Sequence, residues 1–162
     1  MNANSIRPPQ LTVPPSEKVL PELFLAGSIE MGAAVDWQSY VSDALTDTPI
    51  TIFNPRRLDW DSSWVQSIDN PQFKEQVYWE LNMLDRSNVI AMYFDPQTKS
   101  PITLLELGIY ANAYNLIVCC PEGYWRKGNV DIVCEKHEIE QVNTLDELIA
   151  SIKSKVRFGI KS

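Results

Sequence analysis

Short apolar runs alternate with amphipathic stretches along most of the chain. Leu23-Phe24-Leu25-Ala26 is continuously apolar and breaks at Gly27-Ser28, after which residues 34–45 resume with helical spacing at Val35, Tyr40, Val41 and Leu45. The pattern predicts strand, turn and helix. Ile50-Thr51-Ile52-Phe53 is β-branched and aromatic and predicts a strand, which stops at Asn54-Pro55 because proline has no N–H for a central ladder. A polar, tryptophan-bearing stretch runs from Arg56 to Asn70. Residues 71–86 carry Phe73, Val77, Leu81 and Leu84 on one stripe, with Asn70 placed to cap and Pro71 at the first helical position, so a helix is predicted there. Val89 to Phe94 reads as a strand, Asp95 to Ser100 as a loop, Ile102 to Tyr114 as a helix opened by Ser100-Pro101, and Leu116 to Cys120 as a buried strand. Asp131 to Cys134 predicts an added edge strand. Thr144-Leu145-Asp146-Glu147 is a capping box for a last helix that carries Leu148, Ile149, Ile152 and Val156.

Strands alternating with helices at this spacing imply right-handed crossovers and a mostly parallel sheet of about five strands, covered by helices on both faces. Ligands in such α/β sandwiches sit beyond the carboxyl ends of the strands, near the point where strand order reverses. The loops Gly27 to Gly32, Asn54 to Asp61 and Asp95 to Ser100 are therefore the ones to inspect. The predicted domain covers residues 22–162, and residues 1–21, with Pro8, Pro9, Pro14, Pro15 and Pro21, are expected to form a flexible tail. A length of 162 residues, 44% of them hydrophobic and 22% charged, fits one globular domain and excludes disorder throughout. The formal charge of −7 argues against polymeric nucleic acid and anionic membrane as partners, so any phosphate must be met by local groups. Three Cys and one His lack the spacing of a zinc site or a disulfide framework, which leads to the expectation of a reducing cytoplasm and no metal. The weakly charged run from Pro101 to Pro121 contains Glu106, Gly108, Asn112 and Asn115 and changes period midway, so it fails as a membrane span.

Glu106 is the only charged side chain between Pro101 and Pro121, and its neighbours at three and four positions are Ile102, Thr103, Ile109 and Tyr110. A carboxylate in such company finds donors, shifts its pKa or borders a substrate cavity. Glu80 repeats the pattern beside the stripe of its helix, between Val77 and Leu84, where the competing reading is a surface ion pair with Lys74 or Arg86. Paired carboxylates are the recurrent equipment for glycosidic cleavage. Gly27-Ser28-Ile29 supplies bulk-free backbone, a hydroxyl and amides near a helix start, which suits an anion or a sugar hydroxyl. Arg56 and Arg57, just past a strand end, could hold a phosphate or offset Asp59 and Asp61. Trp37, Trp60, Trp64 and Trp79 are candidates either to stack on a base or to pack in the core. His137 lies between Lys136 and Glu138 and reads as solvated, which removes the usual base for a Ser-His or Cys-His mechanism.

Together, Gly27-Ser28-Ile29, Asn54-Pro55-Arg56-Arg57 with Asp59-Trp60-Asp61, the segment from Gln76 to Leu81 and the segment from Ser100 to Gly108 resemble the nucleoside 2-deoxyribosyltransferase-like family. The resemblance runs from about Phe24 to Cys120, and Glu106-Leu107-Gly108 is its most specific part. It implies a flavodoxin-like three-layer sandwich, cleavage of an N-glycosidic bond in a small nucleoside or nucleotide, no cofactor, and assembly as a dimer or higher homo-oligomer. It also implies that Glu106 attacks the anomeric carbon, that Glu80 helps protonate the leaving base, and that Ser28 and Ser100 touch the sugar or a 5′-phosphate. Gly27, Ile29, Asn54, Arg56, Arg57 and Trp79 complete the expected substrate-binding set. Phe24 stands where many relatives have a tyrosine that bonds the nucleophile, and Glu80 where they often have Asp. Ser100 stands where the transferases of free nucleosides often carry an acid, which tilts the expected substrate toward a 5′-phosphorylated form.

Overall fold

The computed structural model describes residues 3–10, 20–29, 35–59, 61 and 63–158. Among the described residues six strands and five helices follow one another as β1 (Asn4–Ile6), β2 (Glu22–Gly27), α1 (Trp37–Ala44), β3 (Thr51–Phe53), α2 (Pro71–Arg86), β4 (Val89–Tyr93), α3 (Pro101–Tyr110), β5 (Leu116–Cys119), α4 (Lys127–Lys136), β6 (Glu140–Val142) and α5 (Leu145–Phe158). The sheet is parallel throughout, in the order β1-β3-β2-β4-β5-β6. Without β1 this is the flavodoxin-like order, whose reversal lies between its first and third strands in the sequence, here β2 and β4.

Both faces of the sheet are covered, which is why its strands read as continuous apolar runs. Phe24, Ala26, Ile90 and Met92 point to one side, against Trp79, Met83 and Leu84 of α2, Leu107 and Tyr110 of α3, and Val130 and Cys134 of α4. Leu23, Leu25, Val89 and Ala91 point to the other, against Trp37, Val41 and Leu45 and the α5 residues Leu148, Ile149 and Ile152. The helix starts use the signals expected of them: Asn70 accepts from the Phe73 amide at 3.0 Å, and Thr144 and Glu147 exchange bonds in the capping box.

The structure departs from expectation in three places. Residues 4–6, expected within a flexible tail, form β1 and pair with β3 in register from Asn4 opposite Thr51 to Ile6 opposite Phe53. The proline count concealed this, because the apolar end of the strand, Ile6, is a single buried residue. Residues 11–19 of the same segment lie outside the described residues. The sheet thus has six strands, one more than expected. Residues 131–134 belong to α4, where Val130 and Cys134 form a buried i, i+4 pair; the edge strand comes later, at β6. No helix among the described residues is long and apolar enough to cross a membrane.

Candidate active site

The site starts from one backbone position at the reversal of strand order. Gly27 ends β2 with φ +154°, and a Cβ there would lie 2.4 Å from the Tyr93 carbonyl oxygen and 2.8 Å from the Trp37 ring. Only glycine lets β2 run this close to β4. Just beyond it, the Ser28 amide donates to Tyr93 O at 3.1 Å, and Trp37 Nε1 donates to Ser28 O at 3.2 Å. The Ser28 hydroxyl accepts from the Asp95 amide at 3.0 Å and from Thr98 Oγ1 at 2.9 Å, and it bonds the Ser100 hydroxyl directly. Thr98 and Ser100 are themselves 2.7 Å apart. Ser100 occupies the N-cap of α3 with φ 48°, yet its side chain makes no capping bond to the helix. The strained backbone instead turns the hydroxyl toward the cluster. Ser28 and Ser100 are therefore brought together as a buried set, and Thr98 joins them. Thr98 stands outside the expected site residues; the signal for it in the sequence is a third hydroxyl residue within the Asp95 to Ser100 loop. Ile29 follows Ser28 and is partly buried, and residues 30–32 of the expected turn lie outside the described residues.

Two helices that both touch β2, α2 and α3, bring in the carboxylates. Glu106 is 8% exposed, with Thr103, Leu107 and Tyr110 as the buried residues of its helix. Ile102 and Ile109 do not supply the apolar company expected of them, since both face outward and are more than half exposed. They sit on the flanks of the helix, whereas Thr103 and Tyr110 share the inner face with Glu106. Burial pushes the Glu106 carboxyl up to about 8, and repulsion from Glu80 adds to the shift. Burial likewise pushes Glu80 up to about 7, against the opposing pull of a hydrogen bond from Gln76. The surface ion pair weighed for Glu80 is not formed: Arg86 pairs with Glu22, and Lys74 lies over the Tyr78 ring. Among the described residues Glu106 has no salt bridge either. Near neutral pH such a pair holds about one proton between its two members, and its titration belongs to the pair.

The loop after β3 borders α2. Asn54 is fully buried, and its Oδ1 accepts from the Arg56 amide at 3.0 Å, which leaves Nδ2 as a buried donor without a partner among the described residues. Gln76 Nε2 donates to Pro55 O at 3.1 Å and to Glu80 Oε1 at 2.6 Å. The arginines are engaged elsewhere. Arg56 reaches Gln38 Oε1 and Asp36 at 3.4 Å. Arg57 forms a two-point bond to Asp59, faces Glu75 at 3.7 Å and lies 5.0 Å over the Trp64 ring. No described contact brings either guanidinium to Ser28, Thr98 or Ser100. Trp79, expected at the substrate, is 1% exposed and packs against Phe24 and Phe53 with its Nε1 bonded to Gln10 O at 2.9 Å. It offers no face to a base, because its position on α2 belongs to the core stripe. Phe24 is equally buried and brings no hydroxyl to Glu106. Trp60 lies outside the described residues. Among the described residues no group of His, Cys, Asp or Glu could hold a metal ion.

A family model described as nucleoside 2-deoxyribosyltransferase like matches residues 20–124. That span holds every residue of the hydroxyl cluster and both carboxylates. No curated protein matches the chain. Among solved structures, a conserved protein from Enterococcus faecalis V583 superimposes with a TM-score of 0.61 at 12% identity, over 85% of this chain and 99% of that one. The likeness extends to the fold.

Proposed function

The chain belongs to the nucleoside 2-deoxyribosyltransferase-like family, and from that membership we propose that it cleaves the N-glycosidic bond of a deoxynucleoside or its nucleotide and transfers the 2-deoxyribosyl group to another base. Membership supports a nucleoside-processing role. The observation that carries the finer reading is the juxtaposition of buried Glu106 with half-buried Glu80, whose charge raises the Glu106 pKa, on two helices that pack against the same strand. In the first step a Glu106 oxygen bonds C1′ as the C1′–N bond breaks, its electron pair leaves with the base nitrogen, and Glu80 gives that nitrogen a proton. In the second, an acceptor base takes the sugar from Glu106 and returns the proton to Glu80. A site that admits water in place of the acceptor base makes the same enzyme a hydrolase.

The Ser28, Thr98 and Ser100 hydroxyls at the start of α3 favour a second substrate form, a nucleoside 5′-monophosphate. Chromatography of deoxynucleosides and their 5′-monophosphates, each with and without a free acceptor base, tests both forms. Base exchange supports the transferase, and release of base without exchange from the monophosphates alone supports an N-glycosidase. Silence with every substrate overturns catalysis and leaves a nucleotide-binding module.

The productive state has Glu106 ionised and Glu80 protonated, the minor of the two singly protonated forms because Glu106 holds its proton to about 8 and Glu80 to about 7; its population follows the pair as a whole, so kcat/KM is expected to rise as pH increases through about 7 and to fall above about 8. Glu80→Gln cannot lose a proton, and the falling limb should vanish in that variant. The same substitution is expected to slow poor leaving bases by about 10²-fold and good ones far less. A uniform loss across leaving bases, with the alkaline limb kept, would remove Glu80 from the acid role.

A further inference from the structure

Gln76 has a conformation that a helix-surface glutamine would not adopt. It is 5% exposed, sits one turn before Glu80 on α2, and presents both hydrogens of its amide nitrogen to acceptors: the Pro55 carbonyl at 3.1 Å and Glu80 Oε1 at 2.6 Å. Its own oxygen is buried with no partner among the described residues. Turning the amide over would set an oxygen against the Pro55 carbonyl, so the orientation is fixed from outside the carboxylate. The N–H therefore reaches Glu80 whichever state Glu80 is in.

Resting on the glycosidic reading above, we propose that Gln76 is a positioning residue that keeps Oε1 of Glu80 free of its proton and so places that proton on Oε2, the oxygen that serves the leaving base. An N–H donor bonds the carbonyl oxygen of a carboxylic acid in preference to its hydroxyl oxygen, which is the weaker acceptor, so the bond to Oε1 favours the proton on Oε2. When the C1′–N bond breaks, its electron pair goes to the base nitrogen and the Oε2 proton follows. Glu80 is left as a carboxylate, and the Gln76 bond to Oε1 becomes charge-assisted at that moment. Its strength thus grows along the reaction, which lowers the barrier and not only the ground state. Burial pushes Glu80 up while Gln76 pulls it down, so the acid stays strong enough to act near neutral pH. The other titratable groups described on this side are Glu106 of α3 and, beside it, Tyr110, whose hydroxyl is bonded to Asp85 of α2 at 2.7 Å.

Two measurements separate this role from a mere strut between α2 and the Pro55 carbonyl. In the unaltered protein, the Gln76 side-chain amide protons and the Glu80 carboxyl carbon are followed by NMR through a pH titration, with Glu80→Gln giving the assignment. The amide resonance is expected to move with the Glu80 midpoint, and a flat amide shift while Glu80 titrates overturns the proposal. In Gln76→Met, which keeps volume without a donor, the Glu80 midpoint is expected to rise by about half a pH unit or more. Turnover of poor leaving bases should drop about tenfold while that of activated leaving groups changes less than about threefold. Equal losses for both classes, or an unmoved midpoint, overturn it. The titrations need no turnover, so a chain inactive toward every nucleoside would count against the glycosidic reading and leave the Gln76–Glu80 coupling measurable.

Discussion

Replacing Glu106 with alanine is expected to lower glycosidic turnover by about 10⁴-fold or more while the protein remains folded. The loss follows from the proposed mechanism, in which Glu106 is the group that bonds C1′ and Glu80 only assists departure of the base. The structural consequence runs the other way. Folded Glu106 releases its proton at about 8 against its ordinary 4.5, so between those values the folded state holds a proton that the unfolded chain has given up. Stability must then fall as pH rises through that window. Removing the carboxyl should flatten the decline, and Glu106→Gln should resist urea better than the unaltered protein at pH 8 while matching it at about pH 4. Denaturation midpoints at the two pH values, set beside turnover, check both halves. Retained turnover in Glu106→Ala would end the nucleophile assignment.

Gly27→Ala is expected to be the most damaging glycine-to-alanine substitution among the described residues. Its Cβ would fall 2.4 Å from the Tyr93 carbonyl oxygen, a backbone atom held in the β2–β4 ladder, and 2.8 Å from the Trp37 ring buried beneath the turn. Neither neighbour can step aside cheaply, since Trp37 is fully buried and bonded to Ser28 O. A clash of this kind, added to a backbone conformation that L side chains rarely adopt, costs about 3 kcal/mol or more. Any relief comes from moving β2 away from β4, which breaks the Ser28 amide bond to Tyr93 O and scatters the hydroxyls of Ser28, Thr98 and Ser100. The urea midpoint and kcat/KM should therefore fall together. An unchanged midpoint would show that the turn is not as tight as its contacts imply.

The sheet was largely legible in the sequence because its strands are buried on both faces, which makes them uniform apolar runs that stand out from the helical stripes. The short outer strands were not. β1 buries one residue, Ile6, and β6 is polar, Glu-Gln-Val, so neither has a pattern to read. Glu106 could be found because it is a lone charge on a helix with an apolar inner face. What surrounds it could not be read from spacing alone, since Ile102 and Ile109 are as near in sequence as Thr103 and Tyr110 but lie on the flanks. Trp79 shows the same ambiguity from the other side: next to Glu80 in sequence, it points into the core while Glu80 turns toward Gln76. The arginines illustrate a different limit. Their charge marked them for an anion, but the acids that satisfy them, Asp36, Asp59 and Glu75, come from the N-cap of α1, the loop and α2, a meeting that only the tertiary structure reveals.

The first strand also has a consequence for how the protein behaves in a crowded solution. β3, which carries the Asn54-Pro55 turn at its end, has hydrogen-bonded neighbours on both sides only because residues 4–6 lie along its outer edge. The strands left at the rims, β1 and β6, are each three residues long. A rim that short gives a neighbouring chain almost no ladder on which to add itself, and so the sheet guards itself against growing by recruitment. Cutting the chain back past Gln10 would uncover β3 and also take the Gln10 carbonyl from Trp79, turning a sealed margin into an adhesive one beside α2.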